Sequence, residues 1–168
     1  MKAERTRWLA ACALTAYSAI LIKFVVFKAI PTIRMGHLRL KFAGPHTGPA
    51  NLVPFETIVP QLIGRGNHLI NMVNLLGNII PFMPIGLLAP LVFRSISRPQ
   101  ALSWQKALVL GVVTGLTFEV MEVIFHVGIF DVDDVITNAF GVMVGYGVFC
   151  HVQTSSATPL RMRRFRPS

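Results

Sequence analysis

Five of the chain's seven acidic residues, Glu119, Glu122, Asp131, Asp133 and Asp134, fall between positions 119 and 134. Carboxylates grouped this closely can act as general acids and bases, share a proton, or offer oxygen ligands to Mg²⁺ or Ca²⁺. No Lys or Arg occurs between Lys106 and Arg161 to neutralise them. The flanking sequence is apolar enough to lie in lipid, where an ionisable side chain is costly and marks a functional site. His126 sits between the two acid groups. No nucleophile motif or strong metal signature accompanies the acids, so no catalytic residue is assigned and no cofactor is expected. A metal role for them is left open.

Composition says what must position these groups. The 168 residues are 53% hydrophobic and only 14% charged, against about 25% charged in soluble domains. That shortfall points to an integral membrane protein. The net charge of +9 would by itself suggest nucleic acid, but the bases cluster at the ends of apolar runs. This is the pattern of topogenic charges, and nucleic acid is excluded as a partner. Cys12 and Cys150 lie in apolar runs without metal-ligand spacing, so both are expected as buried, reduced thiols. Lys2, Arg5 and Arg7 precede an apolar run that continues to Ile30, which reads as an uncleaved first span.

Four spans of about 20 residues each can be drawn, at 8–30, 68–93, 104–125 and 132–152. The expected fold is all-α, an integral membrane four-helix bundle in one domain, 1–153, followed by a basic, disordered cytoplasmic tail, 154–168. Lys23 and Lys28 would snorkel from the far end of the first span. Pro81, Pro84 and Pro90 predict a kink or break in the second. Between these two spans, Gly44, Pro45, Gly48 and Pro49 mark a turn-rich stretch. Asn51 to Ile63 is apolar but too short to cross, which suits an interfacial or re-entrant segment. The N-terminus, second loop and tail hold ten Lys and Arg, the first loop and its flanks six, and the third loop none. The balance places both termini in the cytoplasm and turns the carboxylates outward.

Helical geometry sorts the polar residues into stripes. Asn71, Asn74 and Asn78 fall within about 60° on the second span. Gly111, Gly115, Glu119, Glu122 and His126 fall within about 80° on the third. Asp131, Asp134, Asn138, Gly141 and Gly145 fall within about 80° on the fourth. The small-x-x-x-small pairs Gly111/Gly115 and Gly141/Gly145 allow close helix approach. The third span gains roughly 3–7 kcal/mol from its eleven Leu, Ile, Val and Phe residues. Two central carboxylates cost roughly 5–7 kcal/mol, so the span requires partners, water or protonation.

Structural roles stand beside the functional ones. Asn71 and Asn74 fit interhelical hydrogen bonding as well as they fit a site, and Asn78 and Asn138 read as structural with a secondary role in a site. Glu119 and Asp134 read as functional, because structure alone seldom requires ionisable groups. His126 suits a helix-end or interfacial position. Asp131 or Asp133 suits the N-terminus of the fourth span.

Four motifs in order resemble the VanZ-like family: Asn51-Leu-Val-Pro-Phe55, Asn74-x-x-Gly77-Asn78-x-x-x-Phe82-x-Pro84-x-Gly86, Glu119-x-x-Glu122, and Asp131-Val-Asp133-Asp134-Val-Ile-Thr-Asn138-x-x-Gly141. The resemblance covers about 51–146. It implies a small multi-pass protein of the bacterial cytoplasmic membrane, in a family whose named member is associated with resistance to the glycopeptide teicoplanin. Two positions depart from the family pattern. Glu122 stands where Gln is usual, and Gly128 stands where Arg commonly precedes the Asp-rich motif. His126 is the nearest substitute for that lost base.

The leading expectation is a non-enzymatic protein that binds an extracytoplasmic ligand or lipid-linked envelope precursor in an outward cleft. Asn51, Asn74, Asn78, Glu119, Glu122, His126, Asp131, Asp134 and Asn138 would line it, and the 51–63 segment would cover it. Partners are then the bilayer and a cell-wall precursor or the glycopeptide itself. The alternatives are an intramembrane enzyme using the carboxylates on a lipid-linked or glycan substrate, and a small proton-coupled transporter or channel.

Overall fold

The computed structural model describes residues 2–25, 33–35, 38–40, 48–64, 68–93 and 102–157, with the backbone alone at 2–3, 25, 33–35, 38–40 and 156–157. Among the described residues, six α-helices follow one another: α1 (Lys2–Val25), α2 (Ile58–Leu62), α3 (His68–Ile79), α4 (Met83–Phe93), α5 (Trp104–Ile124) and α6 (Val132–Ala157). Strands β1 (Ile33–Met35) and β2 (Leu38–Leu40) pair antiparallel, Arg34 opposite Arg39, between α1 and α2. This short hairpin lies in the stretch that the sequence marks only as a connection.

Among the described residues, four helical segments are long and apolar enough to cross a membrane: Glu4–Phe24, His68–Phe93, Trp104–Ile124 and Val132–Ser155. Two boundaries differ from the expected ones. The first helix begins at Lys2, and the expected 26–30 portion of that span lies outside the described residues. The fourth helix continues through Thr154 to Ala157, so the tail expected from 154 starts as helix, and 158–168 lie outside the described residues.

The second span breaks at its prolines. Pro81 and Pro84 have no N–H to donate, and the chain tightens into a 3₁₀ turn at Ile80–Phe82 between α3 and α4. Tyr17 on α1 donates its hydroxyl to the Pro81 carbonyl at 2.7 Å, tying α1 to the break. Pro90 is accommodated inside α4.

α6 is the central helix. Its two faces take different neighbours, and glycine sets both distances. On one side, a Cβ at Gly111 would stand 3.0 Å from the Ala139 Cα, and one at Gly115 would stand 2.9 Å from the Val135 carbonyl oxygen. On the other side, Gly141 and Gly145 receive the backbone of Ile79 and Met83, and Gly86 of α4 lies against the Val142 carbonyl. The two small-residue pairs therefore serve separate contacts, α5 on α6 and α6 on α3–α4. Leu21, Phe82, Ile85, Phe118 and Val142 fill the junction, with Phe82 and Phe118 edge to face at 5.0 Å. Cys12 is exposed on α1 and Cys150 is half-buried, so the expectation of two buried thiols fails for Cys12. α1 packs on α4 and turns the Cys12 face outward, where in a bilayer lipid would cover it.

Candidate functional site

The α5–α6 turn brings the acids together. α5 ends at Ile124 with Phe125 as its C-cap, and His126 takes the left-handed conformation (φ 55°). Its N–H still reaches the Val123 carbonyl at 3.1 Å, and Val127 N–H reaches the Glu122 carbonyl at 2.9 Å. The chain then reverses into α6.

Asp131 caps α6: its Oδ1 accepts the Asp133 N–H at 2.8 Å, as a side-chain acceptor before the first turn should. The same oxygen accepts Asn51 Nδ2 at 3.0 Å. Glu119, 3% exposed on α5, accepts the Asp131 N–H through Oε2 at 3.0 Å. Asp134 accepts Asn78 Nδ2 through Oδ1 at 2.5 Å, joining α6 to α3. The polar stripes of three spans thus converge as expected, at Asn78, Glu119, Asp131 and Asp134.

Residues 51–64 lie across this end as a strap. The Asn51 N–H donates to the Phe130 carbonyl at 2.9 Å and the Val132 N–H to the Asn51 carbonyl at 3.0 Å. This is a single parallel bridge between Asn51 and Asp131. Asp133 then gathers the next turn. It accepts the N–H groups of Phe55 (2.5 Å), Thr57 (2.7 Å) and Ile58 (3.1 Å), together with the Thr57 hydroxyl (2.8 Å). Phe55 is held at φ 69° to allow this. The strap's apolar side chains, Leu52, Val53, Phe55, Val59, Leu62 and Ile63, remain exposed on its outer side. The segment expected to be interfacial therefore covers the acids with its backbone and offers an apolar surface outward.

Asp133 is absent from the expected binding set. It is 1% exposed, yet it lies off the stripe of Asp131, Asp134 and Asn138, which is where a face-by-face reading looks. The available signal is its place in the first turn of α6, where an acid can collect backbone N–H groups from a neighbouring segment.

The remaining candidates divide. Asn138, one turn deeper than Asp134, is 3% exposed, and its buried Oδ1 accepts no hydrogen bond, at a cost of about 1–3 kcal/mol. Asn74 is half-buried on α3. Asn71 reaches the Gln61 carbonyl of α2 at a long 3.5 Å, an interhelical tie. Glu122 turns toward the loop and lies over Gly128. His126 is exposed at the α5 end and does not take the place of a missing base. Among the described residues, no three His, Cys, Asp or Glu side chains are arranged to hold a metal ion.

Comparison with known proteins places most of the chain in one family. The family model described as VanZ/LLP1 matches residues 14–153. "Protein VanZ" of Enterococcus faecium is 30% identical over 136 residues, covering 81% of this chain and 70% of that protein. No solved structure matches the chain.

Proposed function

The chain belongs to the VanZ/LLP1 family, and we propose that it is a non-enzymatic binding protein of the bacterial cytoplasmic membrane. Its polar site would take an extracytoplasmic ligand, a lipid-linked envelope precursor, under the 51–64 strap. Through that ligand it would affect susceptibility to glycopeptides such as teicoplanin. The observation carrying this reading is the strap itself: a short segment fastened to Asp131 and Asp133 over a cluster of polar side chains, with its apolar side chains exposed.

The use of the acids favours binding over turnover. Asp133 spends both oxygens on N–H groups of the strap, Asp131 places Oδ1 on the Asp133 N–H, and Glu119 places Oε2 on the N–H that starts α6. Carboxylates committed in this way hold a shape, whereas a general base needs an oxygen directed at its proton. An even number of crossings, as the four candidate spans would give, puts both termini on one side, and the Lys and Arg balance supports the cytoplasm as that side. The strap then faces the lipid-linked precursors outside.

The test expresses the wild type, Glu119→Gln and Asp134→Asn at equal membrane levels in a teicoplanin-sensitive bacterium. Binding of a lipid-linked cell-wall precursor to each purified protein is measured in parallel. The reading expects a susceptibility shift and precursor binding with the wild type, both weakened in the variants. Unchanged susceptibility and binding in both variants would refute it.

A further inference from the structure

Acids and bases occupy opposite ends of the bundle. Six of the seven acids are Glu56 on the strap and the five between positions 119 and 134; the seventh, Glu4, is in the first turn of α1. The other end is marked by Trp104 at the start of α5. It meets Tyr146 of α6 edge to face at 4.8 Å, and the Tyr146 hydroxyl donates to the Leu102 carbonyl at 2.5 Å. One candidate span lies between α1 and α5, so with each span crossing, the start of α1 belongs to this end too.

Arg5, Arg7 and Lys106 stand exposed here. Every acid of the chain lies among the described residues, and none of these three bases is paired with one. Both tryptophans of the chain, Trp8 and Trp104, share this end and are 67% and 53% exposed. Exposed tryptophan beside bases at the end of a span suits the headgroup region, where the ring meets acyl chains and its N–H meets water. Beyond α6, the sequence carries Arg161, Arg163, Arg164 and Arg166, with no acid after Asp134. Orienting the chain during insertion uses such charges once. In the folded protein Arg5, Arg7 and Lys106 remain bare.

We infer that this end of the bundle is a binding surface for anionic phospholipid headgroups. Guanidinium groups match phosphate oxygens bidentately, and each base near an anionic surface favours contact about fivefold. A zwitterionic headgroup carries its own ammonium and gains less. The two exposed indoles select lipid over a soluble polyanion, because acyl chains cover rings that a soluble polyanion would leave wet. The surface lies at the end away from the strap and does not depend on which ligand the strap covers.

The experiment reconstitutes the full chain into vesicles of phosphatidylcholine and phosphatidylglycerol, with the acyl chains of one lipid brominated at a time. Bromine quenches tryptophan on contact, so Trp8 and Trp104 report which lipid covers this end. Both leaflets have the same composition, and orientation in the vesicle does not matter. Phosphatidylglycerol should be preferred by at least about fivefold, and high salt should remove most of the preference. Arg5→Gln/Arg7→Gln/Lys106→Gln should lower the preference at least about twofold. Changing Arg161, Arg163, Arg164 and Arg166 to Gln in the same protein should abolish it. Arg5→Lys/Arg7→Lys/Lys106→Arg keeps the charge and should keep the preference, which separates lost charge from misfolding. Lys23→Gln, at the far end of α1, should leave it unchanged. Equal quenching by the two lipids overturns the surface. A preference that survives both neutralisations, or that Lys23→Gln removes, belongs to other bases and overturns it too.

Discussion

The Glu122 side chain lies against Gly128 across the α5–α6 turn. A Cβ at 128 would stand 3.3 Å from the Glu122 Cβ and 3.4 Å from its Cδ, and would collide with Oε2. These are the two positions at which the resemblance implies a departure from the family pattern, and the fold makes them neighbours. The acid occupies the space that a side chain at 128 would need. Gly128→Ala should therefore destabilise by about 1 kcal/mol, because it displaces a partly buried carboxylate. In a Glu122→Ala background the same substitution should cost little. A double-mutant cycle on unfolding midpoints gives the coupling, expected at about 0.5–1 kcal/mol; additive effects would show that the two residues do not share that space.

Asp133 fastens the strap through bonds to Phe55, Thr57 and Ile58. Asp133→Ala leaves three N–H groups without their acceptor, at about 1–3 kcal/mol for each one that water does not rescue. The loss should be local. Amide exchange at Phe55, Thr57 and Ile58 should rise at least about tenfold, the equivalent of about 1.4 kcal/mol of lost protection, while the α5–α6 core stays protected. Hydrogen–deuterium exchange with fragment-level resolution measures this directly. Protection unchanged over 55–58 would mean that the strap is held by something else.

Much of this arrangement is readable from residues. Four apolar runs of bilayer length, broken once by Pro81 and Pro84, need only length and hydropathy. The convergence of Asn78, Glu119 and Asp134 follows from stripes at helical spacing, because side chains that lipid cannot solvate must face one another. Asp133 escapes because its partners are backbone N–H groups, that of Ile58 lying 75 residues away in sequence, and no periodicity marks a backbone donor. Proximity in sequence makes His126 a candidate counter-charge, but a left-handed turn sends it to the surface. The Glu122–Gly128 contact is hidden for a related reason: loop geometry, which local pattern does not specify, decides which side chain crosses the turn.

The glycines separate packing from propensity. A methyl group added to Gly77 on α3 would meet nothing within 4 Å, whereas Gly86 on α4 lies against the Val142 carbonyl and the Tyr146 nitrogen. Gly77→Ala should stabilise by about 0.5–1 kcal/mol, the usual gain of alanine over glycine inside a helix. Gly86→Ala should destabilise by about 1–3 kcal/mol, because α4 and α6 must move apart and neither contact atom belongs to a flexible side chain. Opposite signs in thermal unfolding check the assignment, and equal effects would place the α4–α6 contact elsewhere.

The Asn78–Asp134 bond offers a way to measure the charge at the site. An ordinary interhelical bond in a membrane protein contributes about 0.6 kcal/mol, with a maximum near ~1.7. A bond to an ionised group contributes about 1.5–3 kcal/mol. If Asp134 carries its charge in the folded protein, Asn78→Ala should cost about 2 kcal/mol in the wild type. In an Asp134→Asn background the cost should fall to about 0.6 kcal/mol, since only a neutral bond is then lost. The difference, about 1.4 kcal/mol, corresponds to a tenfold change in the folding equilibrium. Equilibrium unfolding of the four proteins in micelles resolves it. A cost of about 0.6 kcal/mol in both backgrounds would mean that Asp134 is neutral in the bundle.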